Sequence, residues 1–171
     1  MNELRAYRFE IVLGVMVLLI MSPLLATVLH IDIRFFNLFG LTLLSMASLI
    51  MATSKIPRLL LGFTGPLTLL LVWLEFHYPN DQTISLLRMW HMLGLYGSLS
   101  YILIRNFMDA ADVSPRIIFG AIAGFLLIGF LGGVLFELLN HFQPEAILIE
   151  GGSTGYDLCY FSFISLMTVG Y

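Results

Sequence analysis

Tyr156-Asp157-Leu158-Cys159-Tyr160-Phe161-Ser162-Phe163-Ile164-Ser165-Leu166-Met167 is an apolar and aromatic stretch only 12 residues long, and Thr168-Val169-Gly170-Tyr171 follows it. As a helix rising 1.5 Å per residue it reaches about 18 Å. A bilayer hydrocarbon core is about 30 Å thick, so such a helix cannot cross one. Thr154 and Asp157 have the spacing of a capping box, which starts a helix at this point. Before them lies the turn-forming run Gly151-Gly152-Ser153-Thr154-Gly155. Whether the short helix lies in water or dips part-way into lipid depends on the rest of the chain.

The rest of the chain calls for lipid. Of 171 residues, 59% are hydrophobic, and charged residues make up 11%. An ordinary soluble domain has about 25% charged residues to cover its core. The mean hydropathy is +0.94. The net charge of −3 is small and the eight basic residues are scattered, so nothing points to a nucleic-acid partner. Cys159 is the sole cysteine, so no internal disulfide forms, and its apolar surroundings make it a small buried hydrophobe.

A membrane-crossing helix needs about 20 mostly apolar residues. Five segments meet this, at about Phe9–Leu29, Phe35–Thr53, Leu59–Phe76, Ile84–Ile104 and Ile117–Leu139. The first is too long for the apolar region of a signal peptide and is read as a retained helix. Short connections carry most of the charges. With the N-terminus in the cytoplasm, Arg5, Arg8, Lys55, Arg58, Arg105 and Arg116 fall inside, and Arg34 falls outside. That asymmetry fixes the orientation. The fifth helix then runs outward, and the short stretch enters from the outside as a re-entrant helix.

Pro23 and Pro66 are read as packing kinks, which membrane helices tolerate. In the fifth helix, Gly120/Gly124 and Gly129/Gly133 are small-xxx-small pairs that let a neighbouring helix approach closely.

The run Tyr160-Phe161-Ser162-Phe163-Ile164-Ser165-Leu166-Met167-Thr168-Val169-Gly170-Tyr171 resembles the pore of potassium channels. Their pattern is an aromatic pair, a short helix, and Thr-Val-Gly-Tyr-Gly. The resemblance covers 12 residues strictly and about 55 with the preceding helix. It implies that backbone carbonyls of Thr168, Val169, Gly170 and Tyr171, from four subunits, replace the hydration shell of K⁺. It also implies that the Thr168 hydroxyl adds the innermost site and that Tyr160, Phe161, Ser165 and Met167 support the filter. The C-terminal end of the short helix would favour a cation. Met167 stands where many relatives have a second threonine, and Ile164 where some have a glutamate. Neither lines the ion path.

The implied fold class is all-α integral membrane: five transmembrane helices, a short re-entrant pore helix and an incomplete selectivity filter. Residues 1–112 form a four-helix membrane domain and residues 113–171 a partial pore domain. The final glycine of the motif and the returning inner helix are missing, so the sequence reads as part of a longer protein, expected not to conduct by itself.

The implied function is passive K⁺ permeation through a homotetramer in the cell membrane, with no cofactor beyond the permeant ion. Two alternatives stand beside it. One is a Trk-type potassium transporter, which usually has a degraded filter. The other is a non-conducting membrane protein that assembles with channels. Neither a metal-ligand cluster nor a phosphate-binding loop points to an enzyme.

The first four helices do not make a voltage sensor. Arg88 and Arg105 lie 17 residues apart in the fourth helix with nothing positive between them. One charge couples to the field by only about 2.3 kcal/mol per 100 mV. Arg88 in a membrane segment needs a partner, and Glu75, at similar depth across a short loop, is the expected one, with His91 one turn away. Glu137 either bonds the pore loop or reaches outer water. Glu145, Glu150 and Asp157 are read as a solvated acidic surface.

Overall fold

The computed structural model describes residues 7–30, 33–51, 55–78, 81–108, 115–143, 146–147 and 155–168, excepting the side chains of 33–37, 55–61 and 116. Among these the regular structure is helical. The helices are α1 (Arg8–Leu29), α2 (Ile33–Met51), α3 (Lys55–His77), α4 (Gln82–Met108), α5 (Pro115–Phe142) and α6 (Gly155–Leu166). Each segment read as helical from the sequence is a helix. Thr154, half of the expected capping box, lies outside the described residues.

Helix ends follow local chemistry. Asp81 caps α4, its Oδ1 accepting from the backbone N–H of Thr83 at 2.8 Å and of Ile84 at 3.4 Å. α1 ends where His30 takes a left-handed conformation (φ 52°), its N–H donating to the Ala26 carbonyl. Pro23 lies inside α1 and cannot donate to the Leu19 carbonyl four residues back. The Ser22 hydroxyl donates to that carbonyl instead, at 2.7 Å.

Each of α1 to α5 packs on its neighbour in sequence, and α1 also packs on α5, closing a ring of five helices. The ring's core is apolar: Val12 and Met16 from α1, Leu44 and Met51 from α2, Leu95 and Leu99 from α4, Ala123 and Leu127 from α5. α6 packs on α5.

Among the described residues, two helices, Arg8–Leu29 and Ile117–Phe142, are long and apolar enough to cross a membrane. Only 28% and 33% of their apolar windows are buried, so most of that apolar surface faces outward. α4 carries Arg88, His91 and several small polar residues and does not meet that measure. In α2 the described apolar part is the shorter Leu38–Met51.

The glycines of α5 serve two partners. A Cβ on Gly120 would fall 2.7 Å from the Phe107 ring and 2.9 Å from Phe9, and one on Gly124 would fall 2.8 Å from Leu103. That pair admits α4 and α1. Gly129, Gly132 and Gly133 face α6, where added Cβ atoms would collide with Phe163, Ser162 and Cys159 respectively. The obstacle at Gly133 is backbone, the Cys159 Cα at 2.9 Å, so no rotamer change relieves it. Gly94 in α4 has open space around its Cα.

Gly133→Ala is therefore expected to destabilise the protein by about 1–3 kcal/mol through overpacking. Gly94→Ala is expected to stabilise it by up to about 1 kcal/mol through helix propensity. Thermal unfolding of the two variants in detergent checks the opposite signs.

Candidate functional site

The glycine face of α5 sets how α6 sits. With no side chains at 129, 132 and 133, α6 approaches until its own side chains meet the α5 backbone. Buried Ser162 donates its hydroxyl to the Gly129 carbonyl at 2.8 Å. This satisfies a polar group that would otherwise be costly in an apolar contact. Phe163 meets Phe130 edge to face at 5.6 Å, and Phe130 stacks on Tyr96 of α4 at 5.8 Å. Phe161 packs against Phe136 at 5.1 Å.

The residues expected to support a filter fall in different places. Phe161 is half-buried in the α5 contact, whereas Tyr160, Ser165 and Met167 are exposed on this chain. Thr168 ends the helix in a left-handed turn (φ 56°), its N–H donating to the Ser165 carbonyl at 3.1 Å. A threonine pays strain there, since the left-handed region is uncommon for β-branched residues. Val169, Gly170 and Tyr171 lie outside the described residues. Ser162 and Cys159, which seat the helix, were not singled out by sequence as supports. Their signal was available in register: they lie on the face that also carries Phe163.

A second cluster sits at the other end of the α5–α6 contact. The Arg88 Nε donates to Glu75, with N···O distances of 2.9 and 2.8 Å to its two oxygens. Nη2 donates to Glu137 Oε1 at 2.6 Å. Nη1 faces the Met92 sulfur at 3.6 Å. The Arg88 side chain is 14% exposed, and the carboxylates 30% and 21%. Arg88 thus joins α3, α4 and α5. Glu137 also lies beside α6: its Oε1 would lie 3.6 Å from a Cβ at Gly155, the first residue of that helix. His91 turns away from the cluster toward α3, its Nε2 lying 2.8 Å from the Thr68 hydroxyl and 3.2 Å from the Thr64 carbonyl.

Around this cluster opens a cavity of about 860 Å³. Its lining includes the charged Glu75, Arg88, Glu137 and Asp157 and the apolar Met92 and Phe130. No group of three or more His, Cys, Asp or Glu among the described residues is placed to hold a metal ion. No family model, no curated protein and no solved structure matches this chain.

One guanidinium serves two carboxylates here, and removing it leaves both half-buried and unpaired. Arg88→Gln is expected to cost about 3–5 kcal/mol, more than Glu75→Gln, which leaves the Glu137 bond in place. Chemical unfolding of the two variants measures the difference.

Proposed function

We propose that this chain is a subunit of a potassium-selective channel, with passive permeation along the carbonyls of Thr168, Val169, Gly170 and Tyr171. The observation that carries the reading is α6. It is a 12-residue helix too short to cross a bilayer, seated on the glycine face of a long apolar helix, and it leads through a left-handed Thr168 into Val169-Gly170-Tyr171. That is the order a re-entrant pore needs: a buttressed short helix, a sharp turn, then a strand of carbonyls.

In this reading α1 to α5 cross the cell membrane, with the N-terminus in the cytoplasm and α6 entering from outside. Outward-facing apolar residues such as Val17, Leu24 and Val28 on α1, and Phe125 and Ile128 on α5, support lipid as the surrounding medium. Four copies surround the path, and exposed Tyr160 and Met167 are then available to neighbouring subunits. Arg88 is pinned between two carboxylates and has no free charge to move with the field, which favours gating by something other than voltage. The unbroken Thr-Val-Gly-Tyr run favours a channel over a transporter of the Trk type.

The test is ⁸⁶Rb⁺ uptake into liposomes holding the complete reading frame that contains residues 1–171. The reading predicts uptake that excludes Na⁺ and is lost in Gly170→Asp. Equal passage of Na⁺, or uptake unchanged by Gly170→Asp, overturns it.

A further inference from the structure

We infer that Arg88 is a positioning residue for α6, holding the start of the short helix through Glu137 and so making its seat depend on the α3–α4 pair. The functional meaning of that seat rests on the reading above; the mechanical link does not.

The helix α6 packs on α5, and the glycine contact holds its middle: Cys159 on Gly133, Ser162 on Gly132 and Gly129, Phe163 on Gly129. Its first turn has a different support. The Glu137 carboxylate lies beside Gly155, the first residue of the helix. Negative charge at that end is stabilising. Glu137 can serve there only if its carboxylate is held in place in a crevice where it is 21% exposed. Arg88 holds it there, donating to it at 2.6 Å while Glu75 anchors the other edge of the guanidinium at 2.9 Å.

The chain of contacts therefore runs from Glu75 on α3, through Arg88 on α4 and Glu137 on α5, to the start of α6. The ring pair Tyr96–Phe130 and the pair Phe130–Phe163 give a second, apolar link lower down. The two links make different demands. The ring stack does not depend on charge, so neutralising Glu137 separates them.

Cys159 supplies the readout. It is the chain's sole cysteine, and its sulfur would lie 3.3 Å from a Cβ at Gly133, in the α5–α6 contact. The thiol is half-buried there and also lines the cavity; lifting α6 from α5 exposes it further, so a rise in its maleimide labelling rate reports local opening.

The experiment measures Cys159 labelling of the full chain in lipid nanodiscs, with labelling in SDS as the maximum. Glu137→Gln and Arg88→Gln are each expected to raise the rate by about tenfold or more, and Glu75→Gln by less than about threefold. Far-UV circular dichroism identifies any variant that fails to fold. If Arg88→Gln does not fold, Glu137→Gln, which leaves the Arg88–Glu75 pair intact, decides alone. A rate unchanged by Glu137→Gln overturns the inference, as does a Glu75→Gln effect equal to that of Glu137→Gln. Labelling does not depend on permeation, so this result stands apart from the fate of the channel reading.

Discussion

The α6 backbone comes so close to α5 that a single methyl group at position 133 would meet the Cys159 Cα at 2.9 Å. That approach sets the rest of the site. It exists because α5 carries three glycines on one face, and it lets Ser162 reach the Gly129 carbonyl. In lipid, helices gain little from burying apolar surface against each other, so close backbone contact and interhelical hydrogen bonds are what remain to hold them. A short helix whose main packing partner among the described residues is a single helix is an extreme case of that constraint.

The same helix is divided in its duties. Its upper glycines receive α6, while Gly120 and Gly124 receive Phe107, Phe9 and Leu103. α5 is thus the wall shared by the five-helix ring and the short helix. The ionic cluster adds what glycines cannot supply, a charged link of defined geometry at the end where α6 begins. Arg88 suits that position because its planar fork bonds two carboxylates on different helices at once.

How much of this was legible in the sequence varies with the range of each interaction. Helical segments were readable from runs of apolar residues. The meeting of Arg88 with Glu75 follows from a short connection that leaves both at similar depth. Glu137 lies 49 residues from Arg88, and nothing local says that α5 comes to rest beside α4. Gly120/Gly124 and Gly129/Gly133 announced close approach but not to whom. Ser162 and Ser165 look alike in sequence. Only the position of the glycine wall makes the first a buried donor and leaves the second exposed. His91 was expected near Arg88 by helical spacing, and the carbonyl and hydroxyl of α3 captured it instead. The residues Val169, Gly170 and Tyr171 enter the functional reading through their resemblance to the potassium-channel motif.

The account centres on α6 as a helix that enters a bilayer and stops part-way. Its depth can be measured directly by spin-label power saturation in lipid vesicles. One label replaces Tyr156 and another replaces Leu166, each in a chain whose Cys159 is changed to Ser. The account predicts a label at 156 near the headgroups and a label at 166 about 15 Å deeper, given 1.5 Å per residue over ten residues. Equal, shallow depths at both positions, as for a helix lying on the membrane surface, would contradict it.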